Sequence, residues 1–235
     1  MTPTALVLWD VDLTLMQAGP LGRELYAAAF QRATGRRMES FPPAAGRLDQ
    51  DIFRDALAAH RLDASDHPFP RFAEALTAVY TAGADELGRQ GRALPGAAEA
   101  LAALARVPGV VQTVVTGNIA PVARIKLTAF GLDRFLDLAV GAYGPDDHVR
   151  AHLVGMAQRR AGARYGARFD LRSTLLVGDT PHDVAAARIG GARMIAVASG
   201  RYTERQLRAA GATAVLSDLN DVRPLLRAVR PVRRG

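Results

Sequence analysis

The apolar run Ala5-Leu6-Val7-Leu8-Trp9 stops at two aspartates one residue apart, Asp10 and Asp12, with Thr14 two places further on. Five unbroken apolar residues describe a strand buried on both faces, the arrangement of a parallel sheet with helices packed above and below. In open sheets of this kind, chemistry gathers beyond the carboxyl ends of the strands. Two carboxylates crowded there repel each other by roughly 4 kcal/mol at about 4 Å and an effective dielectric near 20. A divalent cation relieves that repulsion, and hard cations select carboxylate and carbonyl oxygens.

The pattern along the 235-residue chain extends this reading. Residues 16–20 read as a loop. Apolar residues at helical spacing predict helices over 21–34, 49–60 and 69–88, the last interrupted at Gly83, with no strand pattern among them. Leu94-Pro95-Gly96 reads as a return hinge, and Pro95 suits the start of a helix running through Ala105. From there, strands over 110–115, 136–140, 173–177, 194–197 and 214–216 alternate with helices over 120–130, 148–165, 181–189, 204–210 and 222–229. Such alternation predicts an α/β fold. We expect a Rossmann-like doubly wound parallel sheet built from residues 1–16 and 93–235, with 17–92 as an inserted α-helical segment.

Two further strand ends carry candidate ligands. The strand over 110–115 runs into Thr116-Gly117-Asn118, a hydroxyl and a glycine amide at a strand-to-helix turn, both natural phosphate ligands. The strand over 173–177 runs into Gly178-Asp179-Thr180-Pro181-His182-Asp183. Pro181 fits the first helical position. Asp179 and Asp183, four residues apart, can then face one point, which again favours a cation.

Three such strand ends in this order resemble the haloacid dehalogenase (HAD) superfamily. Asp10-Val11-Asp12-Leu13-Thr14 is similar to its first motif, Thr116-Gly117-Asn118 to its second and Gly178–Asp183 to its fourth. The helical insert is similar to the C1 cap of the phosphoglycolate phosphatase and β-phosphoglucomutase branch. The resemblance implies Asp10 as nucleophile and Asp12 as general acid/base. It implies Thr116, Gly117 and Asn118 at the phosphoryl group. Mg²⁺ would be held by Asp10, Asp179, the Asp12 carbonyl and Asp183. The third motif, a lysine before proline, has no match, since residues 141–150 contain no lysine. A cation is still required beside two anions, and Arg150 is the first candidate, with Lys126 the alternative. Gly46-Arg47-Leu48-Asp49 is similar to a substrate segment of related caps, which makes Arg47 a candidate for the substrate's distal group. The expected activity is Mg²⁺-dependent hydrolysis of a small phosphorylated metabolite through an aspartyl-phosphate. Asp12 argues for phosphoryl transfer rather than dehalogenation, since a halide needs no proton on leaving. A β-phosphoglucomutase-like mutase and a degenerate ligand-binding protein are the alternatives; length, insert and Asp12 speak against a receiver-like switch.

Other classes are disfavoured. The formal charge is +7, but the basic residues are dispersed, and Lys126 is the only lysine. The one local basic cluster is the tail, Arg230 to Gly235. Nucleic acid is therefore not expected as a partner, although a basic surface draws in phosphate esters. The absence of cysteine removes disulfide and thiolate chemistry. No apolar run approaches a membrane span, and the first residues enter a strand with no leader pattern. The expectation is a soluble cytoplasmic protein, monomer or homodimer. His60, His67 and His152 read as surface or capping residues, His182 as loop filler and Trp9 as core.

Overall fold

The computed structural model describes residues 2–229; the basic tail of 230–235 lies outside them. The chain begins with strand β1 (Ala5–Trp9) and a short β2 (Met16–Gln17). Four helices follow: α1 (Pro20–Thr34), α2 (Asp49–Ala59), α3 (Phe69–Ala82) and α4 (Ala84–Gln90). A short β3 (Arg92–Ala93) then leads to α5 (Ala97–Ala105), β4 (Val110–Val114) and α6 (Ala120–Thr128). The remainder is α7 (Arg150–Tyr165), β5 (Thr174–Gly178), α8 (Pro181–Gly190), β6 (Arg193–Val197), α9 (Glu204–Ala209), β7 (Val215–Leu216) and α10 (Arg223–Val229).

Among the described residues the main sheet has five strands in the order β4-β1-β5-β6-β7, and every pairing within it is parallel. Helices cover both faces, so this is the expected α/β doubly wound sheet. β1 is central and wholly buried because its side chains alternate between two cores. Val7 and Trp9 pack with Leu101 and Leu104 of α5 and Leu225 of α10. Leu6 and Leu8 pack with Leu153, Val154 and Ala157 of α7. Each such aliphatic side chain stabilises the fold by about 1.5–3 kcal/mol on burial. Trp9 is a core residue, and its indole N–H donates to Gln112 Oε1 at 3.1 Å.

The segment 136–140 is not a strand. A 3₁₀ turn, Asp133–Phe135, precedes it, and the chain meets the edge of β4 only at separate points. The Asp137 amide donates to the Gln112 carbonyl, and Ala142 forms an isolated parallel bridge to Val115. Asp137, in the middle of the apolar run, is the reason. Its carboxylate accepts from the Ala139 amide, the Tyr165 hydroxyl and the Arg164 guanidinium, which bends the segment into a turn.

β2 and β3 pair antiparallel as a two-stranded ribbon, Met16 opposite Ala93 and Gln17 opposite Arg92. Two residues a side leave no periodicity to read, so the sequence shows only loop there. Helices α1–α4 lie between the ribbon strands in sequence and share an aromatic core, with Phe53 and Phe72 stacked at 4.2 Å and Tyr26 tilted on Phe72 at 5.0 Å. The predicted helix over 69–88 is two, broken at Gly83. α7 starts at Arg150 rather than at residue 148, because the Asp147 carboxylate takes the Val149 amide and holds that residue extended. Among the described residues no helix is long and apolar enough to cross a membrane.

Candidate active site

Parallel pairing brings three strand ends level. Trp9 is in register with Val114 on one side and Val177 on the other. The ladder continues one step further, with the Asp10 amide donating to the Val177 carbonyl and the Val115 amide to the Trp9 carbonyl. Asp10, Thr116 and Asp179 therefore emerge side by side, all buried. Asp183 joins them from the first turn of α8. There it forms a reciprocal cap with Thr180, whose hydroxyl donates to Asp183 Oδ2 at 2.6 Å.

One oxygen from each of Asp10, Asp179 and Asp183 lies within 4.8 Å of the others. Among the described residues one guanidinium bridges two of them. Arg150 Nη2 donates to Asp10 Oδ1 at 2.8 Å and to Asp183 Oδ1 at 2.6 Å. Burial, then the neighbouring Asp183, pushes the Asp10 carboxyl up to about 7, against the pull of Arg150. Burial, then Asp10 and Asp183, pushes Asp179 up to about 9. Thr14 donates to Asp179 Oδ1 at 3.2 Å, while Asp179 Oδ2 is buried without a partner. An orphaned carboxylate oxygen among three crowded carboxylates fits a hard divalent cation such as Mg²⁺. The loop after β6 closes against that oxygen. A Cβ on Gly200 would stand 1.8 Å from Asp179 Oδ2, so only glycine fits there.

Asp12 leaves in another direction. Both its oxygens accept from Lys126 Nζ, each at 2.8 Å, and Oδ2 also accepts from Asn118 Nδ2 at 2.7 Å. Lys126 is buried on α6. Burial works against its charge, but Asp12, Tyr80 and Asp49 raise its pKa above the ordinary lysine value. The two candidate cations thus serve different aspartates, Arg150 the pair Asp10 and Asp183, Lys126 the isolated Asp12. The chain turns sharply after Asp12. Leu13 adopts φ 62°, a conformation costing a non-glycine residue roughly 1–2 kcal/mol. The Ser199 hydroxyl, donating to the Leu13 carbonyl at 2.6 Å, helps hold it.

The segment 46–49 docks on these motifs from the helical side. The Asp49 amide donates to the Gly117 carbonyl, and Asp49 Oδ2 accepts from the Ile119 amide at 2.9 Å. Arg47's carbonyl sits so close to Gly117 that a Cβ there would be 2.0 Å away. The Arg47 guanidinium is engaged elsewhere, with Asp55 at 2.7 Å and the Pro43 carbonyl at 3.0 Å. His182 is exposed and packs beside Gly46. His60 ties the α2 end to residue 39, accepting from the Glu39 amide at 2.8 Å. A cavity of about 740 Å³ opens over the aspartates, with Tyr26, Tyr80, Arg23 and Arg201 among its walls.

Asp49 yields a pH prediction. Burial pushes its carboxyl up to about 6, partly offset by Lys126 and the Ile119 amide. A raised carboxyl pKa means the neutral form is favoured in the fold. The stability it contributes is full below the unfolded value near 3.8 and is lost as pH rises through about 6. Asp49→Asn keeps an acceptor for Ile119 without the charge. Its melting temperature relative to wild type is expected to improve between pH 4 and 7, and a pH-independent difference would refute this.

Four contributors escaped the sequence reading. Asp49 ends the segment of which only Arg47 was singled out, and Thr180 sits inside the fourth motif as a cap. Ser199 and Gly200 lie just beyond the β6 strand end, and only that position after an apolar run could have pointed to them.

A family model for haloacid dehalogenase-like hydrolases matches residues 7–188. The probable phosphatase IndB of Dickeya dadantii is 33% identical over 135 residues, and that match covers 56% of this chain and 55% of the relative. It thus takes in about half of that protein's length. The plasmid phosphoglycolate phosphatase of Cupriavidus necator is 28% identical over 242 residues, 97% of this chain and 95% of that one. Among solved structures, a hydrolase from Pseudomonas syringae superposes with a TM-score of 0.68 at 24% identity, covering 97% of this chain and 100% of its own. CbbY from Rhodobacter sphaeroides, solved with phosphate, gives 0.64 at 20% identity, covering 94% and 96%. These two share the fold. With the family model spanning well over half of its residues, the chain belongs to the haloacid dehalogenase-like hydrolases.

Proposed function

We propose that the protein is a Mg²⁺-dependent phosphatase acting on a small phosphate monoester. One observation carries the reading: Asp10, Thr116, Asp179 and Asp183 meet at adjacent strand ends, with Arg150 bridging Asp10 and Asp183. Asp10 Oδ attacks phosphorus while the bond to the leaving oxygen breaks, giving an aspartyl-phosphate. Asp12 gives its proton to that oxygen, then takes one from the water that cleaves the acyl phosphate. In this reading Thr116 and the Gly117 amide hold the phosphoryl oxygens, while Asn118, whose side-chain nitrogen donates to Asp12 and Thr116, steadies those two. Arg150 offsets negative charge at the nucleophile, the role the missing third motif would fill, which leaves Lys126 to Asp12. Bound to Asp10, Asp179 and the Asp12 carbonyl, with Asp183 behind them, Mg²⁺ would neutralise the phosphoryl group and let two anions approach.

In this reading residues 17–92 are the cap, residues 1–16 and 93–235 the core, and cap closure excludes water from the cavity. Arg23 and Arg201 on the cavity wall form no ion pair among the described residues. They suit an ester with a second negative group, so 2-phosphoglycolate is the first ester to try, given the relative from Cupriavidus necator. A panel of metabolite phosphates with Mg²⁺ tests the proposal by release of inorganic phosphate. Isomerisation of a sugar phosphate without release would instead mark a mutase. Independently of turnover, millimolar Mg²⁺ is expected to raise the melting temperature of wild type and not of Asp179→Asn. An equal rise in both would remove Asp179 from the metal site.

A further inference from the structure

Lys126 is the only lysine among 30 basic residues. Its ammonium has three protons and meets three acceptors, Asp12 Oδ1 and Oδ2 at 2.8 Å each and Asn118 Oδ1 at 2.7 Å. The face of Tyr80 lies 5.4 Å from the nitrogen. A planar guanidinium cannot gather three short bonds on one nitrogen in this way, so the compact cation is the one that fits.

The contact with Asn118 sets a second group. With its oxygen committed to a cation, the amide must present nitrogen on the other side. There Nδ2 donates to Asp12 Oδ2 at 2.7 Å and to Thr116 Oγ1 at 2.8 Å. The Thr116 hydroxyl accepts that bond, so its own proton is left to point elsewhere. Asp12, by contrast, is partly exposed, on a strained turn, and among the described residues its side chain has no other partners than Lys126 and Asn118.

Resting on the phosphatase reading, we propose that Lys126 is a positioning residue that fixes Asp12 against the cavity and, through Asn118, aims the Thr116 hydroxyl at the phosphoryl group. Removing it releases the acid directly and the phosphate ligand indirectly. The acid matters only where the leaving oxygen needs a proton. The alkoxide of an alkyl phosphate needs one, whereas p-nitrophenyl phosphate releases a stabilised p-nitrophenolate that does not.

The test compares kcat/KM of wild type, Lys126→Met and Lys126→Arg on 2-phosphoglycolate and on p-nitrophenyl phosphate, a quantity that stops at departure of the leaving group. Lys126→Met is expected to lose about 100-fold on the alkyl ester and less than about 10-fold on the aryl ester. Lys126→Arg should recover only part of the alkyl loss, and Asp12→Asn should show the same selectivity, with Lys126→Met adding to it no more than the small loss it causes on the aryl ester. Equal losses on both esters, or none, would overturn the proposal. Should Lys126→Met fail to fold, Asn118→Ala breaks the same relay from its other end and must give the same pattern. A readout free of turnover comes from ¹⁵N-lysine labelling, which gives a single side-chain ammonium resonance. It must shift in Asp12→Asn and in Asn118→Ala; an unmoved resonance refutes the contact. If wild type releases phosphate from neither ester, the phosphatase reading falls, and the resonance alone decides the positioning role.

Discussion

Asp10→Asn is expected to lower turnover by roughly four orders of magnitude or more, because the variant keeps the shape of the site and loses the nucleophile. The fold should not suffer. Asp10 is a buried carboxylate whose neighbours Asp183 and Asp12 disfavour its charge, so an amide removes repulsion while still accepting from Arg150. The melting temperature without metal is therefore expected to stay level or rise. Acid-quenched wild type, mixed rapidly with substrate, should carry one phosphoryl group by mass spectrometry, and the variant none. Turnover surviving in Asp10→Asn would remove the covalent mechanism altogether.

Arg150→Ala should carry the second largest effect, and on two axes. Its guanidinium is nearly sealed from solvent and, among the described residues, is the one cation bridging Asp10 and Asp183. Breaking a buried pair by deleting one partner destabilises by about 3–5 kcal/mol. A lost electrostatic ligand of the transition state costs about 10²–10³ in rate. Both losses are expected, and Mg²⁺ should return part of the stability by taking up the freed carboxylates. Arg150→Lys should restore charge but not the fork, and so recover turnover only in part. On the aryl ester Arg150→Ala should lose far more than Lys126→Met, since Arg150 meets the nucleophile and Lys126 the acid. The reverse order would exchange their roles.

What could be read from the residues alone follows from how local each piece of information is. The strand-end motifs are contiguous, and parallel pairing then leaves little freedom in where Asp10, Thr116 and Asp179 meet. The need for a cation near Asp10 was also legible, as simple charge balance. Which cation serves which aspartate was not, because it depends on how α6 and α7 are rotated about their axes, and Arg150 and Lys126 are both at plausible distances in sequence. The segment 136–140 failed for the opposite reason. Its apolar pattern suits a strand, and a single side chain, Asp137, with partners in α7, overrides it. The closing loop at Ser199 and Gly200 had no motif at all; its demand for glycine exists only once Asp179 is in place.

The ribbon of Met16–Gln17 with Arg92–Ala93 has a consequence for how such chains diversify. The outgoing and returning backbones are hydrogen-bonded neighbours, so whatever is spliced between them must only begin and end at one spot. A hairpin of a few residues or a module of several dozen would meet the same stub, since closure entropy grows only slowly with length. On the proposed division into core and cap, the sheet would thus keep one reaction while the cassette above it is exchanged for another selectivity.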